Sequence, residues 1–220
     1  MSKINRQRVI VVDDHPMMRK GLVTTLDAEY GLEVVAQLER AEEVIQKYTE
    51  LSPDLAIVDI SLDGMSGLEL IKHLITRDPD LKILVVSRHE ETLYAERVIR
   101  AGAKGYVMKQ EAGEVLIKAV RKILNGRIYV SDTVSEKLLL GMAQGQRDIY
   151  KSPMDQLSDR ELEVFELTGK GNKTREIAEK LHLSVKTVES YRARIKTKLN
   201  LENATELMMH AVKWVEGEGK

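Results

Sequence analysis

Leu55-Ala56-Ile57-Val58-Asp59-Ile60-Ser61 (residues 55–61) is the stretch whose reading decides the fold. Four apolar residues run straight into an acid. Pro53-Asp54 precede them and Asp63-Gly64 follow. A short continuous apolar run between turn signals reads as a strand buried on both faces. Such strands belong to parallel sheets, and ligands bind beyond the strands' carboxyl ends. Asp59 therefore falls where a nucleophile, a metal ligand or a helix cap would sit.

The same pattern recurs on either side. Arg8–Val12 is a buried run ending in Asp13-Asp14-His15-Pro16. Proline there suits a first helical turn, and the acids suit the positive end of its dipole. Glu33–Ala36, Lys82–Ser87 and Gly105–Lys109 read as further strands. Between and after them, apolar residues at helical spacing predict five helices, three of which are placed at Ala41–Leu51, Glu91–Ala101 and Glu114–Leu124. Five strands alternating with five helices predict an α/β domain with a doubly wound five-stranded parallel sheet, flavodoxin-like.

Four of these strands end on polar groups: Asp13-Asp14, Asp59, Ser87 and Lys109. In a parallel sheet those ends share one edge. Three close carboxylates repel, by about 4 kcal/mol per pair at about 4 Å and an effective dielectric near 20. A hard divalent cation such as Mg2+ offsets that and tolerates few carboxylates plus water and phosphate. A lysine and a hydroxyl nearby complete a set suited to moving a phosphoryl group onto a carboxylate.

The 220 residues are enough for two domains. Net charge is -1 and cysteine is absent, which excludes disulfides and thiolate metal sites. The apolar run after the polar N-terminus is too short for a membrane span or a signal-peptide core, so a soluble cytoplasmic protein is expected. Residues 127–156 change character. One short helix around Val134 to Met142 precedes a polar, Pro-containing stretch, and the segment reads as a linker.

From residue 157 the pattern is all helical. Ser158 with Glu161 forms a capping-box sequence. Thr174 is expected to cap a short helix, Ser184 a longer one, and Asn203 with Glu206 the last. A short helix, a tight turn and a longer helix make a helix-turn-helix in a four-helix domain. The longer helix, Ser184–Asn200, carries five cations against one acid, Glu189. A charge run is usually a solvated face, but this motif lays its second helix in the major groove.

Val11–Pro16, Val58–Leu62, Val85–Ser87 and Gly102–Lys109 together resemble the receiver domain of two-component response regulators. Leu157–Val164, Glu176–Ala178, Ser184–Val188 and Lys198-Leu199 resemble the LuxR-type helix-turn-helix. A receiver (1–126), a linker (127–156) and this module (157–220) in sequence resemble the NarL/FixJ subfamily. The resemblance implies that Asp59 accepts a phosphoryl group from a sensor histidine kinase. It implies that Asp14, Asp59 and the Ser61 carbonyl hold Mg2+, with Asp13 acting through water. Ser87 and Lys109 would bind the phosphoryl oxygens, and Tyr106 would swing inward in response. In the second domain it implies that Glu189, Ser190 and Ala193 face the bases. Lys186, Arg192, Arg194 and Lys196 would contact phosphates of promoter DNA. A homodimer forming on phosphorylation or on DNA is implied as well. Three departures stand out: Asp63 where proline is common, Arg88 where a small residue is common, and Gln110 in place of a cis-proline. Tyr191 stands where histidine is frequent.

This is a transcription regulator and not an enzyme on that reading. Two rivals remain at this point: a regulator that binds DNA without phosphorylation, and a phosphohydrolase with an aspartyl nucleophile.

Overall fold

The computed structural model describes residues 6–143 and 153–216. The chain divides into two compact units, Met1–Gln144 and Gly145–Lys220.

In the first unit, strands β1 (Gln7–Val12), β2 (Leu32–Leu38), β3 (Leu55–Val58), β4 (Lys82–Ser87) and β5 (Gly105–Met108) alternate with helices. The helices are α1 (Pro16–Asp27), α2 (Ala41–Leu51), α3 (Gly67–Arg77), α4 (Glu91–Arg100) and α5 (Ala112–Leu124). The sheet order is β2-β1-β3-β4-β5, all pairs parallel. This is the doubly wound sheet that the apolar runs predict. β3 sits between β1 and β4, and all four of its residues are buried. Its alternate sides feed two layers. Val9, Val11, Ile57, Leu84, Val86 and Val107 pack against Leu22 and Leu26 of α1 and Leu116, Val120 and Ile123 of α5. Their neighbours Ile10, Val12, Ala56, Val58, Ile83 and Val85 point the other way and are fully buried too.

The switch from strand to helix after β3 is tight. Ser66 caps α3 with a complete capping box with Glu69. The Gly67 amide donates to the Ile60 carbonyl at 2.8 Å. A Cβ on Gly67 would lie 1.8 Å from the Asp59 carbonyl oxygen. Glycine is required there by space, because the α3 start is pressed onto the backbone of Asp59.

The helix expected in the linker is α6 (Asp132–Ala143); it packs on α4 and falls within the first unit. Before it, Tyr129 extends the outer side of β5. Its amide donates to the Lys104 carbonyl, and its carbonyl accepts from the Tyr106 amide, both at 2.9 Å. The polar remainder of the expected linker, 144–152, lies outside the described residues.

The second unit opens with a 3₁₀ turn, Pro153–Gln156, followed by α7 (Asp159–Gly169), α8 (Thr174–Lys180), α9 (Val185–Leu199) and α10 (Ala204–Val215). Phe165 and Trp214 meet at 5.7 Å between ring centroids, with Leu162, Ile177, Val188, Ile195 and Leu207 buried around the helix crossings. Gly169 does more than end α7: a Cβ there would meet the Ala211 carbonyl of α10 at 2.3 Å. The caps at Ser158, Ser184 and Asn203 form as expected. The cap at Thr174 does not. Lys173 is the cap position, Glu176 accepts from the Lys173 amide at 2.8 Å, and the Thr174 hydroxyl is engaged by Arg192.

Glu161 ties α7 to α9. Its carboxylate accepts from the Ser158 amide at 2.7 Å and from Lys198 Nζ at 2.6 Å. Burial alone would raise its pKa, but the bonds from Lys198 and Ser158 outweigh it and hold the group below its ordinary value. A depressed carboxylate stabilises the fold above its ordinary value, and that contribution disappears as pH falls through the folded value. Glu161→Gln is therefore expected to cost about 1–2 kcal/mol at neutral pH. The difference from wild type should shrink as the pH is lowered below 4.5, the ordinary glutamate value. Chemical denaturation at several pH values measures this; a pH-independent gap would refute the ion-pair account.

Candidate phosphoryl-acceptor site and DNA-binding face

The carboxyl ends of β1, β3, β4 and β5 converge as parallel pairing requires. Asp13 and Asp59 are buried, and Asp14 is the more open of the three acids. Lys109 Nζ bridges two of them, at 2.7 Å from Asp59 Oδ2 and 2.7 Å from Asp13 Oδ2. The Lys109 amide donates to the Ser87 carbonyl at 2.7 Å, which fixes the end of β5 against β4. Asp59 Oδ1 accepts from the Ser61 amide at 3.3 Å. One ammonium thus pairs with two of the three carboxylates, and the set stays short of positive charge. The electrostatics report it: burial first, then Asp59, Asp13 and Asp63, raise the Asp14 pKa, against a lowering by His15.

Two buried carboxylate oxygens, Asp13 Oδ2 and Asp14 Oδ1, lack a hydrogen bond. The Lys109 contact with Asp13 is therefore an ion pair without hydrogen-bond alignment. Asp13, Asp14, His15 and Asp59 each offer an atom within 4.8 Å of the others. This is an acidic cluster with the donors a divalent cation uses.

The Ser87 side chain is fully buried, and its Oγ accepts from the His89 amide at 3.3 Å. Tyr106 is already inward: its ring is buried and its hydroxyl donates to the His89 carbonyl at 2.8 Å. Two histidines with no assigned chemistry in the sequence are here. His15 Nδ1 lies 2.5 Å from Asp14 Oδ1. His89 Nε2 is 2.7 Å from Ser61 Oγ, and its ring lies 4.4 Å from that of Tyr94 on α4. His15 follows the acid pair directly and His89 follows Ser87 by two, so proximity to the motifs was the available signal. Of the three departures, Asp63 is half-buried and adds charge near Asp14, Arg88 is exposed, and the Lys109-Gln110 peptide is trans.

In the second unit, Val188 and Ile195 fix the inner side of α9. Lys186, Glu189, Ser190, Ala193 and Arg194 are exposed, and Lys196 is half-buried. Lys186, Ser190 and Ala193 lie opposite the buried pair at helical spacing. Arg192 is different. It is half-buried, and its guanidinium donates to Thr174 Oγ1 at 2.8 Å, which ties α9 to α8. Arg194 lies over the Tyr191 ring at 5.9 Å. No helix of the described residues is long and apolar enough to cross a membrane.

Two family models match the chain in the same order as these units. Residues 9–121 match the response regulator receiver domain, and residues 155–211 match the bacterial regulatory proteins of the luxR family. The response regulator GacA of Pseudomonas aeruginosa is 36% identical over 206 residues, which cover 94% of this chain and 95% of GacA. Among solved structures, RcsB from Salmonella enterica serovar Typhimurium, bound to promoter rprA in the presence of the phosphomimetic BeF3-, aligns with a TM-score of 0.60. That pair is 30% identical, with 93% of this chain and 98% of RcsB covered. A structure of two RcsB dimers bound to two parallel DNAs aligns with a TM-score of 0.57 at 28% identity, covering 97% and 99%. With both models matched and a relative of this identity along nearly its whole length, the chain belongs to the NarL/FixJ-type response regulators, as a DNA-binding transcriptional regulator with a receiver domain and a luxR-type helix-turn-helix.

Proposed function

We propose that Asp59 is the phosphoryl acceptor of this regulator and that a sensor histidine kinase is the donor. The observation that carries this is the Lys109 bridge between Asp59 and Asp13, beside carboxylate oxygens that lack hydrogen bonds. An Asp59 oxygen attacks phosphorus, the P–N bond to the kinase imidazole breaks, and that imidazole leaves. Lys109 shifts from carboxylate to phosphoryl oxygen, and the Ser87 hydroxyl donates to another. The donor set fits Mg2+: Asp14, Asp59 and the Ser61 carbonyl would hold it, with Asp13 through water. When bound, the cation supplies charge neutralisation at the phosphoryl oxygens. Tyr106 and Ser87 act as the switch pair, and the phosphoryl group works only by binding one of two states better than the other. The acceptor is stoichiometric, so the protein acts as a regulator and not as a turnover enzyme.

Asp59→Asn should abolish labelling by acetyl phosphate or a cognate kinase, read by phosphate-affinity electrophoresis. Label retained on another residue refutes the assignment.

We also propose domain limits of 1–126 for the receiver, 127–156 for the connecting segment and 157–220 for the DNA-binding module, acting in the cytoplasm. α6 is then the part of the connecting segment that rests on the receiver. The exposed side of α9 enters the major groove of promoter DNA, as a homodimer. The solved RcsB complexes support this. Glu189, Ser190 and Ala193 read base edges, with Glu189 suited to a cytosine amino group. Lys186, Arg194 and Lys196 engage phosphates. Arg192 acts through the Thr174 tie that orients α9. Alanine at Arg194 or Lys196 should weaken binding on all sequences and lower the salt slope by about 0.9 per lost contact. Fluorescence anisotropy at several salt concentrations reads it; an unchanged slope removes that residue from the phosphate contacts.

A further inference from the structure

The loop between β3 and α3 leads straight out of Asp59, and its two ends are fixed. At the start, Leu62 is fully buried and its amide donates to the Ile60 carbonyl at 3.1 Å. At the end, the Ser66 capping box and the Gly67 amide hold the first turn of α3. Asp63, Gly64 and Met65 span the gap. They bring little restraint of their own. Gly64 sits at φ 80°, and a glycine leaves that region without steric cost. Asp63 lacks the ring that would fix its φ.

The restraint comes from another helix. Glu42, in the first turn of α2, reaches across the sequence to this loop. Its Oε1 accepts from the Met65 amide at 3.1 Å. The same oxygen is packed on Gly64, where a Cβ would stand 2.9 Å from it. Among the described residues, no other side chain bonds to the backbone of residues 63–65. The position of this loop matters to its neighbours. The Ser61 amide donates to Asp59 Oδ1 at 3.3 Å, and the Asp63 charge acts on Asp14. A loop that wanders moves a donor to Asp59 and swings a fourth carboxylate past the acids.

An acid in a first turn also has a plainer part, its interaction with the helix dipole. That part needs the charge and not the hydrogen bond, and Glu43 beside it serves the same end of α2.

We propose that Glu42 is a positioning residue for phosphoryl transfer, holding the loop after Asp59 in its working shape from a helix that touches no reacting atom. The inference rests on reading Asp59 as the acceptor.

The test is the rate at which acetyl phosphate labels the full chain in Mg2+, below the unfolding transition, read by phosphate-affinity electrophoresis. Glu42→Ala should slow labelling about three- to tenfold, the equivalent of one lost hydrogen bond. Glu42→Gln loses the charge but keeps an acceptor oxygen, so it should stay within about twofold of wild type. Asp63→Pro supplies backbone restraint by a separate route. In an Asp63→Pro chain, adding Glu42→Ala should therefore change the rate by less than about twofold, a non-additivity expected only if the two act on the same loop. Wild-type labelling in Glu42→Ala overturns the proposal. A Glu42→Gln rate as low as that of Glu42→Ala overturns it too and assigns the carboxylate to the α2 dipole. Equal effects of Glu42→Ala with and without Asp63→Pro do the same. Asp59→Asn separates the two levels. Labelling retained there rejects the acceptor reading itself, whereas its loss, with wild-type labelling in Glu42→Ala, rejects only the role of Glu42.

Discussion

Gly67→Ala should destabilise the first unit by about 3 kcal/mol or more, near the upper end for overpacked positions. The expected Cβ position is 1.8 Å from the Asp59 carbonyl oxygen and 2.9 Å from Ile60 Cα. Neither side can retreat cheaply. The Asp59 amide is bonded to the Val12 carbonyl at 2.9 Å, and the strand before it pairs on both sides. On the other side, α3 is held by the Gly67 amide and by its capping box. Relief requires the α3 start to lift away, which moves the loop carrying Ser61 and with it the Asp59 side chain. Thermal or urea denaturation measures the loss. Phosphorylation by acetyl phosphate, measured below the unfolding transition, should slow as well. A variant that melts with wild type would show that the α3 start has slack.

Lys109→Ala should cost about 3–5 kcal/mol in metal-free protein, the range for removing one partner of a buried ion pair. The Lys109 side chain is 7% exposed and those of Asp13 and Asp59 are 1% exposed, so solvent screens little of the loss. Two carboxylates would lose their only close ammonium among the described residues, beside Asp14, whose ionised form is already disfavoured. A divalent cation is then the counter-charge that can take the place of the ammonium. Adding Mg2+ should raise the melting temperature of Lys109→Ala more than that of wild type, because a ligand that binds only the folded state stabilises by mass action. The comparison is a pair of melts, in chelator and in Mg2+. Equal Mg2+ shifts in the two proteins would mean that Lys109 does not substitute for a cation.

The sheet was legible because buried parallel strands leave unbroken apolar runs. β4 falls on the expected residues, and β3 ends one residue before Asp59, so the acid lies at the strand mouth. Its four polar ends were legible for the same reason, since parallel register sends them to one edge. What the sequence hid depends on side-chain direction or on space. Nothing in the spacing of His15 says that its ring declines the capping role and turns to Asp14. Gly67 looks like any loop glycine until α3 is packed on Asp59. Arg192 counts as one more cation on a basic helix, yet half of it is buried and its guanidinium belongs to Thr174. Thr174 is itself the first helical residue, one past the cap position, so its hydroxyl is available to Arg192.

The pairing of Tyr129 with the outer side of β5 has a consequence for self-association. An edge strand with free amides and carbonyls is a template for another chain. At β5 the Tyr106 amide and the Lys104 carbonyl are already taken by Tyr129, so the first part of this border of the sheet is closed by the chain's own continuation. A receiver fragment ending at residue 126 would leave that border open beside a hydrophobic core, and would be prone to stack edge to edge. A fragment carried through α6 keeps the seal.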